Sequence, residues 1–314
     1  MRSTSGAAES TTGAVSRREA LGVLGATLAI GGPVAAAAAI RPKPGGQWFD
    51  ISLAQWSLHR ELHDKKLDAR EFPAASKGMG FGAVEYVNSF YREKAGDGAF
   101  WKEMRGRCDD LGVRSVLIMC DVAEKLGDEN AAARQAAVDV HRPWLDAAKT
   151  LGCHAIRVNL QCTGPEQDQQ KHAAEGLRAL VEVGAGMDLS VIVENHGGKS
   201  SDGAWLSGVM KLVDHPRCGT LPDFGNWYEY DRYKGIKDLL PFAKGLSAKS
   251  YDFDETGEET TINYSRMLKL ARLAGYTGFI GVEYEGNKMP EREGILATKR
   301  LLEQLRDCTV ALLP

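Results

Sequence analysis

The feature that most constrains this chain is an alternation of short apolar runs with longer helical stretches, repeated from residue 48 onwards. Several helical stretches end in a Leu-Gly or Ala-Gly step, at Gly112, Gly152 and Gly275, and glycine just past the last turn is typical of a helix C-cap. The strand candidate after each step is short and apolar, as in a parallel sheet that is covered on both faces. We therefore predict a (β/α)8 TIM barrel, a single domain at residues 48–314, with an open doubly wound sheet as the alternative.

Eight strands and six long helices are predicted from these runs. No G-x-G-x-x-G motif follows the first strand, which argues against a dinucleotide-binding domain. The strand candidates are Ile51–Gln55, Ala83–Val87, Arg114–Cys120, Ala155–Leu160, Leu189–Val193, Thr220–Pro222, Gly245–Ala248 and Phe279–Glu283. The helix candidates are Gly98–Leu111, Glu129–Leu151, Pro165–Met187, Ala204–Val213, Ile262–Ala274 and Pro290–Leu305.

The first 40 residues have the composition of an export signal. Arg17 and Arg18 precede a weakly apolar stretch, residues 21–39, that is rich in Gly and Ala and offers small-residue cleavage positions. The stretch is short, and its glycines and Pro33 weaken it as a membrane-spanning helix. The sequence predicts a twin-arginine-type signal at residues 1–40, a linker at 41–47 and a periplasmic protein. An uncleaved membrane anchor or a disordered tail is the alternative.

Charge and cysteine usage exclude several classes of partner. The signal contains three arginines and two glutamates, so without it the net charge is −4. This gives neither a basic stripe for nucleic acid nor a polybasic membrane patch. The six cysteines form no C-x-x-C pair and match no zinc pattern. A twin-arginine substrate folds before export in a reducing compartment, so mostly buried thiols are expected. A homo-oligomer is compatible with the sequence.

Acidic residues follow many of the predicted strands, at the barrel end where such folds carry their active sites. Strong acids end strands two, three, five, six and eight, and the best cluster is Glu194, Asp223 and Glu283. Three converging carboxylates repel one another. A divalent metal relieves that repulsion, and oxygen ligands suit Mn²⁺ or Mg²⁺. In the alternative interpretation, these acids pair with Lys249, Arg157 or Lys244 and hold loops together.

Several short segments, in order along the chain, resemble the sugar phosphate isomerase/epimerase family of xylose-isomerase-like barrels. The resemblance implies a metal held by a Glu of strand five, an Asp of strand six, a His of strand seven and a Glu of strand eight. Glu194, Asp223 and Glu283 match three of these ligands. The segments are "ISLAQWSLHR", "GAVEYV", "VIVENHGG", "GTLPDFGNW", "GLSAKSYDFD" and "FIGVEYEG".

The fourth ligand is missing. The family pattern on strand seven is His-x-Lys, whereas this chain has Ser247-Ala248-Lys249, and no histidine follows His215. His196 lies two residues beyond Glu194, a spacing that puts both on one side of a strand, so it is a candidate replacement. It is equally a candidate to bind a sugar hydroxyl. Asp252 is a weaker candidate ligand.

The resemblance implies isomerisation or epimerisation, in which a proton leaves the carbon next to a carbonyl. Glu194 and Glu283 would then be acid/base groups as well as metal ligands. Lys249 would supplement the positive charge, or would form only a structural ion pair. Two further hypotheses remain, a lyase or hydrolase acting on a 3-keto-glycoside, and a non-catalytic sugar-binding barrel that the missing histidine favours.

A small-molecule sugar is the expected partner. No Gly-rich phosphate cradle is present, so a phosphorylated substrate is not indicated. Arg157 could meet an anionic substituent, while Glu85, His196 and Asn226 are candidate sugar contacts. The aromatic candidates for the floor of a sugar pocket, which could instead be core residues, are Trp56, Trp227, Tyr228 and Tyr230.

Overall fold

The computed structural model describes residues 47–308, so the predicted export signal and residues 41–46 of the linker lie outside the described residues. Strands and α-helices alternate within this range. The strands are β1 (Asp50–Ala54), β2 (Ala83–Val87), β3 (Arg114–Cys120), β4 (Ala155–Val158), β5 (Ser190–Glu194), β6 (Cys218–Leu221), β7 (Leu246–Ser250) and β8 (Phe279–Tyr284). The α-helices are α1 (His59–His63), α2 (Phe72–Gly78), α3 (Gly98–Leu111), α4 (Ala131–Leu151), α5 (Glu166–Ala185), α6 (Gly203–Val213), α7 (Arg232–Leu239), α8 (Tyr264–Leu273) and α9 (Glu291–Cys308).

The eight strands form one parallel sheet in the order β6-β5-β4-β3-β2-β1-β8-β7. Backbone hydrogen bonds join its two ends: the Ser247 amide donates to the Pro222 carbonyl at 3.1 Å, and the Phe224 amide donates to the Ser247 carbonyl at 3.0 Å. The sheet therefore curves into a barrel with helices between successive strands, which confirms the predicted (β/α)8 TIM barrel.

Helix ends follow the glycine signals in the sequence. Gly112 and Gly152 are the C-caps of α3 and α4, with φ of 60° and 78°, the left-handed backbone that glycine adopts at least cost. The bounds predicted for β2, β3 and α3 match the structure. The short helices α1, α2 and α7 were not predicted; α7 carries Gly235 in its middle, which weakens its helical signal.

The core has two layers, as expected when a barrel is wrapped by helices. The larger hydrophobic cluster lies between the strands and the helices. Alternate residues of each strand face the inside of the barrel, and the smaller hydrophobic cluster consists of such residues. It includes Val87, Leu117, Met119 and Ile192. The inner positions further along the strands carry polar residues. The apolar residues therefore fill one end of the barrel interior, and the polar residues occupy its C-terminal end.

No α-helix within residues 47–308 is long and apolar enough to span a bilayer.

The thiols are mostly buried, as expected. Four free thiols are buried and Cys162 is half-buried, which confirms the expectation for the five cysteines with described side chains. The buried ones are Cys108, Cys120, Cys153 and Cys218.

Candidate active site

Three buried carboxylates meet at the C-terminal end of the barrel. Glu194 is the last residue of β5, Asp223 follows β6, and Glu283 lies near the end of β8. One carboxylate oxygen from each lies within 4.8 Å of the other two. Within the described part of the chain, no other group of three or more His, Cys, Asp or Glu side chains has metal-ligand proximity. We call these three residues the acid triad.

Glu194, the first member of the acid triad, is held by two side chains. Its Oε1 accepts a 3.1 Å hydrogen bond from the Asn226 amide. Its Oε2 lies 2.8 Å from Arg157 Nε, although the angle is not that of a hydrogen bond. Burial raises the pKa of Glu194 to about 7, against the opposing effect of the Arg157 guanidinium. The pKa of Glu194 therefore lies above that of an ordinary glutamate.

Asp223 has one oxygen fixed and one free. Its Oδ1 accepts hydrogen bonds from the backbone amides of Gly225 at 2.8 Å and Asn226 at 2.7 Å. Its Oδ2 is buried without a hydrogen bond, 3.9 Å from Lys249 Nζ. Burial raises the pKa of Asp223 to about 7, although Lys249 lowers it. The Asn195 side chain accepts a 2.7 Å bond from the Asp223 amide and fixes the backbone at this point.

Glu283 is the member with the closest cationic partner. Its Oε1 accepts from Lys249 Nζ at 2.9 Å, and its Oε2 accepts from the Ser247 hydroxyl at 2.7 Å. Burial opposes ionisation, but Lys249 and Ser247 outweigh it and lower the pKa of Glu283. Lys249 also donates to Glu285 Oε1 at 3.0 Å. Although burial opposes its charge, the surrounding carboxylates raise the pKa of Lys249 well above its ordinary value.

The donor set of the acid triad fits a divalent metal. Glu194 Oε2 and Asp223 Oδ2 are buried acceptors that lack hydrogen bonds, and such atoms are costly unless something binds them. Carboxylate oxygens are the ligands that Mg²⁺ and Mn²⁺ prefer. Arg157 Nε lies 2.8 Å from Glu194 Oε2 and Lys249 Nζ lies 3.9 Å from Asp223 Oδ2, so both cations neutralise part of the negative charge without forming a hydrogen bond to these two oxygens. Ser247, from β7, adds a hydroxyl at the edge of the triad.

The family to which the chain belongs follows from a sequence comparison. The profile of the xylose isomerase-like TIM barrel family matches residues 73–308, a span that contains the whole acid triad. The chain belongs to the xylose isomerase-like TIM barrel family. A comparison with curated protein sequences gives no significant match.

Solved structures agree with this family assignment at the level of the fold. A sugar phosphate isomerase/epimerase from Parabacteroides distasonis is 17% identical, with a TM-score of 0.65 over 84% of this chain and 97% of that one. An L-ribulose 3-epimerase is 14% identical, with a TM-score of 0.68 over 85% and 98%. A 3-keto-D-glucoside 4-epimerase from E. coli is 13% identical, with a TM-score of 0.64 over 82% and 99%.

Arg157 bridges two acids of this xylose isomerase-like barrel. Besides its contact with Glu194, its Nη1 donates to Asp121 Oδ1 at 2.6 Å, and Asn159 donates to the same oxygen at 2.9 Å. The guanidinium lowers the pKa of Asp121, which stays charged. Arg157 is thus engaged with carboxylates of the chain itself. Part of the alternative interpretation also holds, because acids of the triad do pair with Arg157 and Lys249, whereas Lys244 lies beside Gly219 in β6.

Glu85 lies inside the barrel, below the acid triad. The Ser52 hydroxyl donates to its Oε1 at 2.5 Å, and Oε2 is a buried acceptor without a partner. An added Cβ at Gly281, two residues before Glu283, would lie 2.6 Å from Oε2. Burial raises the pKa of Glu85 to about 8, so the carboxyl is largely protonated at neutral pH.

The remaining predicted residues lie at or beyond the mouth of the barrel. His196 is exposed and is not part of the metal-ligand group, and Asp252 pairs with Lys288. Trp56 is half-buried and stacks on His59, with ring centroids 5.0 Å apart.

Two of the aromatic candidates differ sharply in their surroundings. Trp227 is buried in the outer core, where its ring would clash with any side chain at Gly235. Tyr228, the next residue, is 73% exposed.

The sequence placed a strong acid, Asp121, at the end of strand three but did not predict its contact with Arg157, and it missed Asn195 and the hydrogen bond of Ser247. Asn195 directly follows Glu194 in the "VIVENHGG" segment, and Asp121 follows β3. Their position at strand ends was a usable signal. Their partners are residues on other strands, which no local pattern specifies.

Proposed function

We propose that this protein is a sugar isomerase or epimerase that removes a proton from the carbon next to a carbonyl. The observation that carries the proposal is the acid triad, in which carboxylate oxygens of Glu194 and Glu283 lie within 4.8 Å of each other at the C-terminal end of the barrel. Two carboxylates that share a pocket can remove a proton and return it. The names of the similar solved structures, two of which are epimerases, support this class of reaction.

Glu194, Asp223 and Glu283 are the residues that would hold a divalent metal. Such an ion would act as a Lewis acid toward the substrate oxygens. Ser247 donates its hydroxyl proton to Glu283 and so would orient that carboxylate toward the ion.

The acid/base roles follow from the surroundings of the two glutamates. Glu283, kept ionised by Lys249 and Ser247, is suited to accept a proton. Glu194 lies across the acid triad from Glu283, with carboxylate oxygens of the two within 4.8 Å, so it is placed to return the proton. An ammonium group has three donors, and Lys249 directs two of them to Glu283 and Glu285. The third can stabilise negative charge on a substrate oxygen.

A lyase or hydrolase acting on a 3-keto-glycoside is the second candidate. Such an elimination begins with the same proton abstraction next to a carbonyl. The 3-keto-D-glucoside 4-epimerase among the similar structures favours this candidate, because that protein's name specifies a keto sugar with a glycosidic substituent. Release of a free aglycone distinguishes elimination from epimerisation.

Solvent isotope exchange tests the proposed function. The purified protein is incubated in deuterium oxide with added Mn²⁺ and a panel of ketoses, aldoses and 3-keto-glycosides, and deuterium at substrate carbon is measured by NMR and mass spectrometry. We expect exchange next to the carbonyl in wild type, and about 10²–10⁴-fold less in Glu283→Gln, as is usual for loss of an acid/base group. Exposed Glu93 supplies the matched control, Glu93→Gln.

Each other outcome of this experiment has a defined meaning. Aglycone release with exchange supports the lyase. Sugar binding that survives in both Glu194→Gln and Glu283→Gln, with no exchange in wild type, would contradict catalysis and support a sugar-binding barrel.

We also propose that residues 1–40 direct export to the periplasm. Arg17 and Arg18 before the apolar stretch support this. The expected result is a shortened N-terminus in the periplasmic fraction, found by mass spectrometry. In Arg17→Lys/Arg18→Lys the unprocessed chain should stay in the cytoplasm, and processing that is unchanged in this variant would contradict the proposal.

A further inference from the structure

A cleft of about 750 Å³ lies between the loop that follows β5, the strand that ends in Glu194, and the loop that follows β6, which contains Asp223. Its walls are formed by residues from the stretch 197–202, after β5, and by residues 228–230, after β6. Its size lies within the range of small-molecule sites. We call it the Tyr228 cleft.

The Tyr228 cleft is linked to the acid triad by the shortness of both loops. Gly197 lies three residues beyond Glu194, and Tyr228 lies five residues beyond Asp223. Gly197 has a φ of +87°, and an added Cβ there would lie 3.9 Å from Tyr228 Cε2, so the ring stands next to the loop backbone. Both loops follow strands whose C-terminal ends carry members of the triad, so the cleft and the triad lie on the same face of the barrel.

Hydrogen bonds between and within the loops hold the cleft in shape. The Ser201 hydroxyl donates to the Asn226 carbonyl at 2.7 Å and joins one wall to the other. The same hydroxyl accepts from the Gly197 amide at 2.9 Å. Asp202 accepts from the Trp205 amide at 3.0 Å and caps α6. A cleft fixed in this way needs little ordering when a ligand binds.

Tyr228 is an aromatic ring without a partner. It is 73% exposed, more than the other two exposed large hydrophobic residues, Leu212 and Leu273, which lie on α6 and α8. In the described part of the chain it forms no hydrogen bond and no ring contact. An exposed aromatic face in a cleft of this size suits the C–H face of a sugar ring.

The charges of the cleft favour a neutral ligand. Lys199 is paired with Glu166, and the other charged residues of the walls are the acids Asp202 and Glu229. No unpaired cation is available in the walls to bind a phosphate or carboxylate. A carboxylate can accept a hydrogen bond from a sugar hydroxyl, and an ammonium group can donate one to it, so charged side chains also bind neutral sugars.

We propose that the Tyr228 cleft binds a second, neutral sugar unit of a glycoside whose first sugar unit lies at the acid triad. The identity of the first unit rests on the proposed function. The substrate class is then a disaccharide-like glycoside, and a free monosaccharide would fill only part of the site.

Calorimetric titration tests this proposal without requiring turnover. The probes are glucose and the disaccharides cellobiose, maltose and trehalose, titrated into wild type, Tyr228→Ala, Tyr228→Phe and the control Leu273→Ala. At least one disaccharide should bind wild type about tenfold more tightly than glucose, equivalent to about 1.4 kcal/mol. Tyr228→Ala should abolish that preference, whereas Tyr228→Phe and Leu273→Ala should keep it.

The proposal is overturned if no disaccharide is preferred, or if the preference survives Tyr228→Ala. It is also overturned if Tyr228→Ala instead reduces the mass measured by light scattering, because the ring would then lie between copies of the chain. If wild type prefers a disaccharide but no sugar shows deuterium exchange, the proposed function is refuted and the proposal that the Tyr228 cleft binds a sugar unit stands. If deuterium exchanges into monosaccharides but no disaccharide is preferred, the proposed function stands and the proposal for the Tyr228 cleft is refuted.

Discussion

Ser247 donates a 2.7 Å hydrogen bond to Glu283 from the strand position at which the resemblance to related barrels implies a metal-binding histidine. The hydroxyl fixes one carboxylate oxygen of the acid triad, and Lys249 fixes the other. This xylose isomerase-like barrel therefore keeps the three carboxylates and orients one of them with a serine. The consequences for metal binding can be measured directly.

Replacing Ser247 by histidine should strengthen metal binding, because imidazole is a good ligand for first-row divalent ions. We expect Ser247→His to bind Mn²⁺ at least about tenfold more tightly than wild type, a gain of about 1.4 kcal/mol. Calorimetric titration with Mn²⁺ measures this. Ser247→Ala is the matched control, since it removes the hydrogen bond to Glu283 without adding a ligand. Equal Mn²⁺ affinities of Ser247→His and Ser247→Ala would refute the assignment of position 247 to the metal site.

Removing Arg157 should destabilise the fold through Glu194. Arg157→Met leaves Glu194 buried next to Glu283 without its cationic partner, and breaking a buried ion pair in this way costs about 3–5 kcal/mol. Arg157→Met/Glu194→Gln should recover part of that loss, because no uncompensated glutamate remains. Denaturant unfolding in a chelating buffer measures the free energies. Single and double variants of equal stability would show that the pair does not hold Glu194.

Glu85 should make stability depend on pH. Its pKa of about 8 in the folded chain exceeds the ordinary value of 4.5. Between these two pH values the folded state keeps a proton that the unfolded state has released. The free energy of unfolding should therefore fall as pH rises through this window, by up to about 1.4 kcal/mol per pH unit. Glu85→Gln lacks this contribution, so its stability relative to wild type should rise with pH.

Chemical denaturation of wild type and Glu85→Gln at several values between pH 5 and 8 measures this difference. Glu93→Gln, at an exposed glutamate, should show no such trend. If the curves for Glu85→Gln and wild type run parallel, Glu85 does not keep its proton in the folded protein.

The fold could be predicted from the sequence because its signals are local. Apolar runs and glycine C-caps such as Gly112 and Gly152 report on a few neighbouring residues. The acid triad could be predicted because parallel strands bring their C-terminal ends to one rim, so position along a strand was sufficient.

The partners of these residues could not be predicted, because they lie on other strands. Ser52 meets Glu85 across two neighbouring strands, and Arg157 meets both Asp121 and Glu194. Adjacent aromatic residues also separate in a way that composition does not reveal, since Trp227 is buried and Tyr228 is exposed. Loop geometry after β6 decides between them.

Metal content tests the central claim most directly. Wild type and Glu194→Gln/Asp223→Asn, both without a histidine tag, are incubated with Mn²⁺, desalted and analysed by elemental mass spectrometry. The acid triad predicts about one divalent ion per chain in wild type and none in the double variant. No bound ion in wild type, even after Mn²⁺ is added, would contradict the claim that these three carboxylates form a metal site.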